Sequence, residues 1–377
     1  MCQKRFLLFI TLFFFLMFFS IAPKYSNISS MASRCLCPSH VLSEAFFVCP
    51  SICEAEPLQT PKVRDVDTLM HRTGGYDTPG DARLVRIEGN YAYVADGESG
   101  IQIIDVTDPT SAKLMGSFNT PGYACDIVID GTVAYVADCR SGIQIINIKD
   151  PAHPTDLGRY DTKGYACGLV LKGDILYVAD SQRGLLVMDL GDPVNPFLLA
   201  ECDAKGSTCG IAVRENYVYL ANKEKGIQVI DVSQPENPWP MGTVKTPGSP
   251  QKIATDGSHA YVADMEMGIQ VIDISKPANP RLVGGADTPG ESCGVSISGG
   301  LAYIADCARG VQLFDISDPE RPRLLESYDT PGNARSIAIR GQYAYVADGE
   351  MGLHILELTD LSDTEPTTPS DIPQGVK

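Results

Sequence analysis

One pattern of apolar and polar positions recurs along most of this chain. Its first copy opens with an apolar stretch from Leu84 to Ile87, halts at Gly89, and resumes as Tyr91-Ala92-Tyr93-Val94-Ala95. Short runs rich in β-branched and aromatic residues, separated by a glycine turn, predict a β-hairpin. Asp96 and Gly100 bound the next turn, and Ile101 to Val106 predict a third strand. Asp108-Pro109 ends that strand, since proline brings no N–H to a ladder. A weaker fourth strand runs from about Lys113 to Phe118.

The order then repeats every 42 residues. Tyr76-Asp77-Thr78-Pro79-Gly80 returns as Phe118-Asn119-Thr120-Pro121-Gly122 and Tyr160-Asp161-Thr162-Lys163-Gly164, then from Cys202, Val244, Ala286 and Tyr328, making seven copies without insertion. Four antiparallel strands in about 40 residues form the blade of a propeller. The seventh copy has its third strand at Leu353 to Leu358 but no fourth, and continues into Leu361 to Lys377, rich in Thr, Pro, Asp and Ser. Leu69 to Tyr76 precedes the first copy and matches the missing strand. The expectation is an all-β, seven-bladed β-propeller of four-stranded antiparallel blades over residues 69–360, closed by an N-terminal strand that completes the last blade. An open solenoid would leave a long unpaired edge.

The third strands read Ile101-Gln102-Ile103-Ile104-Asp105, Ile227-Gln228-Val229-Ile230-Asp231 and Ile269-Gln270-Val271-Ile272-Asp273, and Tyr93-Val94-Ala95-Asp96 precedes the first of them. In these motifs the chain resembles the LVIVD-repeat family of propellers. The resemblance implies the architecture and an exported or surface-attached setting. It implies no single activity and carries no catalytic set. WD40 propellers are a poorer match, because the one tryptophan, Trp239, falls in a fourth strand.

Charge narrows the partners. Lys and Arg total 30 against 47 Asp and Glu, a net of −17. That balance argues against nucleic acid and against docking on an anionic membrane surface. Lys4 and Arg5 precede an apolar run of 17 residues from Phe6 to Ala22. A basic flank and such a run read as a signal peptide over residues 1–32, or as a signal anchor tethering the chain through residues 6–22. Both place the remainder outside the cytoplasm, secreted or extracytoplasmic. Residues 33–68 form a linker in which Cys35, Cys37, Cys49 and Cys53 read as two local disulfides, and 361–377 as a disordered tail. Of 12 cysteines Cys2 would leave with the signal, so an odd number remains.

Most repeated positions have mechanical explanations. The column Gly100, Gly142, Gly184, Gly226, Gly268, Gly310 and Gly352 predicts a turn with positive φ. Asp96 and its counterparts, with Asn222 as the variant, are expected to accept hydrogen bonds from the N–H groups of that turn. Chemistry is expected where the repeats share geometry and differ in side chain. The column that starts each innermost strand reads Arg83, Cys125, Cys167, Cys209, Gln251, Cys293 and Arg335, and propeller topology places it at one mouth of the central channel. Cys139 and Cys307, from the loop after the second strand, open on the same face, as do Tyr123, Tyr165 and Glu291.

For the cysteines, small apolar filler is the leading reading. Disulfides to Cys139 and Cys307 are the second, since those two occur only in repeats whose inner strand also has Cys. A metal or reactive-thiol site is the third. Arg83 and Arg335, on adjacent blades across the seam, form a candidate anion clamp. The histidines are scattered without metal-type spacing, no catalytic motif is present, and no cofactor or metal set is assigned. The expected function is a non-enzymatic binding or protein-interaction module for an extracytoplasmic protein or glycan. The alternatives are a hydrolase or lactonase-like propeller working at the same channel mouth, and a structural surface protein.

Overall fold

The computed structural model describes residues 68–204 and 206–359. The readings for the signal segment, the cysteines of the linker and the C-terminal tail lie outside these residues. Seven four-stranded antiparallel sheets are present. They are numbered here as blades 1 (84–118), 2 (126–160), 3 (166–202), 4 (208–244), 5 (252–286) and 6 (294–328). Blade 7 joins 336–358 to Met70–Tyr76. No described helix is long and apolar enough to cross a membrane.

Blade 1 shows why the pattern folds this way. Its strands are Leu84–Glu88, Tyr91–Ala95, Ile101–Asp105 and Lys113–Phe118, in that order across the sheet. The turn at Gly89 has φ 53°. The two middle strands are buried on both faces, which is why they read as nearly continuous apolar runs and do not alternate. Ile101, Ile103 and Tyr93 pack toward Ala134, Val136 and Ile146 of blade 2. Ala92, Val94 and Ile104 pack toward Tyr345, Leu353 and Ile355 of blade 7. The core is thus divided among the interfaces between neighbouring blades, and one of those interfaces is the seam. Each fully buried Ile or Val there contributes roughly 1.5–3 kcal/mol.

Closure follows the expected route. Met70–Tyr76 pairs antiparallel with Leu353–Leu358, Met70 opposite Leu358 and Tyr76 opposite Leu353. The strand bulges between Arg72 and Gly74. A Cβ on Gly74 would stand 2.0 Å from the carbonyl oxygen of Pro109, so only glycine lets this strand lie under the Asp-Pro loop of blade 1. The seven turn glycines from Gly100 to Gly352 have φ between 64° and 87°, as their column predicts.

The aspartate column differs from expectation in five blades. Asp96 Oδ1 accepts from Thr78 Oγ1 (2.6 Å) and Oδ2 from Gly80 N (3.0 Å), so it pins the connector entering the blade and leaves its own turn N–H groups alone. Asp138, Asp264, Asp306 and Asp348 do the same with their own Thr-x-Gly segments. Blades 3 and 4 keep the expected arrangement. Asp180 Oδ1 accepts from Gln182 N and Arg183 N, and Asn222 Oδ1 from Glu224 N and Lys225 N. In blade 3 the buried Thr162 Oγ1 and Asp180 Oδ2 have no hydrogen-bond partner among the described residues.

Candidate functional site

The column that the sequence marked sits at a β-bulge in every blade. Arg83 N–H donates to Ala95 O at 2.7 Å, the carbonyl of the residue that pairs with Leu84. Cys125, Gln251, Cys293 and Arg335 repeat this on Ala137, Ala263, Ala305 and Ala347. In blades 3 and 4 the register slips across Cys167 and Cys209 in the same way. A bulge places two residues against one and re-aims the extra side chain, so three kinds of side chain (Arg, Cys and Gln) are set at one repeated position of a rigid frame.

The loop after the second strand supplies the neighbours of this column. Cys139 and Cys307 have positive φ, 48° and 46°, where Gly97 and Gly349 stand in blades 1 and 7. Each bridges into the next blade, Cys139 with Ala166 and Cys307 with Ala334. That contact carries the loop residue of one blade to the column residue of the next.

Two arcs of the rim result. In blade 6 Cys293 and Cys307 form a disulfide with Cα atoms 6.0 Å apart, and Arg335 Nη1 of blade 7 lies 3.6 Å from Cys307 Sγ. In blades 2 to 4 the sulfurs are a row of thiols. Cys125 Sγ is 2.7 Å from Cys139 Sγ, and Cys167 Sγ donates to Tyr165 O at 3.3 Å. All four are half-exposed, which departs from the buried-filler reading. Among the described free cysteines only Cys202, at 7 % exposure in the interface of blades 3 and 4, fills that role. Cys167 is held below the ordinary thiol range by hydrogen bonds from Cys139 and Cys209, with Ser181 and the charge of Lys252 adding to them. Cys139 is pushed up, first by its hydrogen bond with Cys125, then by that with Cys167 and by burial.

The two arginines of the column are each engaged by a different neighbour. Arg83 lies over the ring of Tyr123, 5.7 Å from its centroid, and its Nη1 meets Asp81 Oδ2 at 3.2 Å. Tyr123 OH donates to the same oxygen at 2.7 Å, and burial together with that bond pushes the phenol up to about 12. Arg83 is thereby engaged with blade 2 and Arg335 with blade 6, on opposite sides of the seam. Gln251 Nε2 donates to Ser249 O at 3.2 Å. Arg140, which the sequence reading passed over, lies 4.9 Å from the ring centroid of Tyr165.

The next position along the inner strand holds a pair that the sequence reading missed. Lys252 Nζ of blade 5 reaches Asp126 Oδ2 of blade 2 at 3.0 Å, and Arg86 Nη2 stands 3.8 Å from Asp126 Oδ1. These residues line a cavity of about 760 Å³ bounded by the inner strands. The signal was present, since the column reads Leu84, Asp126, Gly168, Gly210, Lys252, Gly294 and Ser336. Two opposite charges interrupt an otherwise uncharged series, three blades apart.

The LVIVD repeat matches this sequence at residues 79–120, 121–162, 163–204, 205–246, 247–288, 289–330 and 331–368. The chain belongs to the LVIVD repeat family. No curated protein matches it. Among solved structures it resembles the WD40 β-propeller domain of Doa1, with 12 % identity over 78 % of this chain and 98 % of that one and a TM-score of 0.63. U3-55K is similar at 13 % identity over 77 % and 98 %, TM-score 0.62. The computationally designed Ika8 protein gives 8 % identity over 76 % and 98 %, TM-score 0.58. At such identities the likeness is one of fold alone, and what an LVIVD propeller does must be argued from its own rim.

Proposed function

We propose that this LVIVD propeller is an exported binding module that holds an extracytoplasmic protein or glycan on the rim bearing Arg83, Cys125, Cys167, Cys209, Gln251, Cys293 and Arg335. One observation carries the reading: the repeat keeps its bulge in all seven blades and varies the side chain placed there. A rigid frame presenting different groups at equivalent positions suits recognition, because little side-chain and loop ordering is left to be lost on binding. Export is supported by Lys4 and Arg5 ahead of Phe6 to Ala22, and by the Cys293–Cys307 disulfide, which an oxidising compartment maintains. The net charge of −17 speaks against a nucleic-acid ligand.

The test is equilibrium binding of the full chain to a panel of extracytoplasmic proteins and to a glycan array. A Gln251→Ala, Arg335→Ala variant runs in parallel, with folding followed by circular dichroism. The reading expects at least one ligand whose affinity falls about tenfold or more in the variant, the scale of a lost charged or polar contact. Binding that the variant leaves unchanged moves the site off the rim. Turnover in a screen of esters and lactones, abolished by the same substitutions, replaces the binding reading with a hydrolase at the channel mouth.

A further inference from the structure

The inner strands enclose a space of their own, apart from the rim they carry. We propose that this cavity binds a small organic carboxylate, held by Arg86 and seated against a wall of small side chains. The site is separate from the rim and does not depend on the reading given for it.

Strand periodicity decides which side chains enter the channel. Lys252 of blade 5 meets Asp126 of blade 2 at 3.0 Å. In a ring of seven, blades three apart are as distant as two blades can be, so this bridge crosses the channel and its column faces inward. Alternate residues of a strand share a face, so the column two places further on faces inward too. It holds Arg86 in blade 1, valine in blades 2 and 3, and only Ala212, Ala254, Ser296 and Ala338 in blades 4 to 7. Those four short side chains hollow out one side of the channel, within a cavity of about 760 Å³. Such a volume suits a small organic molecule. The cavity runs from the Asp126–Lys252 bridge to the turn at Gly89, the end of the inner strands away from the rim column.

Arg86 is the cation left over for a ligand. Asp126 is answered without it: Lys252 Nζ donates to Oδ2 at 3.0 Å, Ile127 N–H to Oδ1 at 2.8 Å, and Leu169 N–H to Oδ2 at 3.4 Å. Arg86 Nη2 stands 3.8 Å from Asp126 Oδ1, beyond hydrogen-bond distance, and its side chain is 48 % exposed. Its one hydrogen bond among the described residues runs from Nε to Ile127 O at 3.2 Å, so both Nη atoms keep their N–H donors open. Three cations, Arg86, Lys252 and Arg340, line the cavity against two carboxylates, Asp126 and Glu88. The balance inside is positive, in a chain whose net charge is −17. A guanidinium fork pairs with a carboxylate through two parallel N–H···O bonds. The alanine wall gives no donor to the remaining oxygens of an inorganic anion, whereas it suits a hydrocarbon body. Charge at one end and an apolar wall beside it select an organic acid.

The experiment is a ligand-observed NMR titration of the full chain with hexanoate, run beside 1-hexanol and inorganic phosphate. Saturable binding of hexanoate is expected, with the alcohol and the phosphate weaker by about tenfold or more, the scale of a lost charged hydrogen bond or apolar contact. Arg86→Gln is expected to weaken hexanoate by a similar factor. Ala254→Leu, which fills the hollow and leaves every charge in place, is expected to do the same. Unchanged near-ultraviolet circular dichroism shows that the variants are folded, and should one not fold, the other carries the test. The Gln251→Ala, Arg335→Ala variant, altered only on the rim, is expected to bind hexanoate as wild type does, so failure of the rim reading leaves this site standing. No saturable binding of hexanoate overturns the proposal, as does 1-hexanol or phosphate binding at least as tightly. Hexanoate affinity unchanged in either folded cavity variant also overturns it, and loss of affinity in the rim variant moves the carboxylate out of the cavity.

Discussion

Blades 2 to 4 and blade 6 place sulfur at the same bulge on the same frame, yet the two arcs end in different chemical states. The arc at Cys293 and Cys307 is closed: one disulfide, capped by Arg335. The arc at Cys125, Cys139, Cys167 and Cys209 is a row of thiols above a buried ion pair. The backbone is common to both, so the difference lies in what each blade puts next to its neighbour. In a tandem ring, the chemistry of a position is set by the residue 28 places further on, across the blade interface, as Cys167 is from Cys139 and Arg335 from Cys307.

The largest expected effect comes from removing the charge beneath the thiol arc. Asp126 is 3 % exposed at its side chain, accepts from Ile127 N–H at 2.8 Å and Leu169 N–H at 3.4 Å, and answers to Lys252 at 3.0 Å and, more distantly, Arg86. Lys252→Met leaves that carboxylate buried without its nearest countercharge, and a loss of about 3 kcal/mol is expected in urea denaturation, the low end for a broken buried pair because the backbone donors and Arg86 remain. The double variant with Asp126→Leu is expected to recover most of it, since replacing both members of a buried pair by apolar groups is often neutral. The closed arc offers a control, for its equivalent positions are Gly294 and Ser336. If Lys252→Met proves harmless, the pair is not what floors the open arc.

The closed arc is broken next. Cys293→Ser with Cys307→Ser removes a link of sequence separation 14, for which the entropic account gives about 3 kcal/mol. The matching substitutions Cys125→Ser and Cys139→Ser, made in reduced protein, are expected to cost under about 1 kcal/mol, because no covalent constraint is lost. Denaturation midpoints of the two double variants, side by side, test whether the arcs differ in bonding or only in reactivity. Equal losses would show the open arc to be as structural as the closed one.

The sequence made some of this legible and hid the rest for physical reasons. Strands, turns and ring closure were readable because they are local patterns repeated seven times, and because Leu69 to Tyr76 fits the one gap that the seventh copy leaves. The state of the sulfurs was not readable, since Cys125 and Cys293 look alike in the alignment of repeats. Only the bulge and the positive φ at Cys139 and Cys307 bring each pair into bonding range. The surroundings of the two arginines were hidden for a related reason: they come from adjacent blades, but Arg83 meets Tyr123 and Asp81 on its other side. Asp126 and Lys252 lie 126 residues apart, and nothing local joins them.

The smallest effect concerns the connectors between blades. Blades 1, 2, 5, 6 and 7 pin the incoming chain with a buried aspartate and blade 4 with the Asn222 amide on Ala204 O, while Asp180 in blade 3 bonds within its own turn. Burial pushes Asp96 up to about 6, against the opposing pull of its bonds from Thr78 and Gly80. Its folded pKa is thus raised above the unfolded one, so the folded state holds the proton more tightly. Stability from this group is present below the ordinary carboxylate range and falls as pH rises toward 6, by about 2–3 kcal/mol at about 1.4 kcal/mol per pKa unit. His354 works in the opposite sense: burial lowers it to about 4, so stability is lost as pH falls from about 6.5 toward 4. The test is therefore a difference between proteins. Asp96→Asn and wild type are unfolded in urea at intervals from pH 4 to pH 7, which cancels His354 and the exposed aspartates. The wild-type advantage is expected to shrink by about 2 kcal/mol across that window. Asn222 shows that an amide is tolerated in this column when it turns to the Ala204 carbonyl. A difference that stays constant with pH would mean that the carboxylate of Asp96 carries no burial penalty, and the contrast between pinned and unpinned connectors would lose its electrostatic basis.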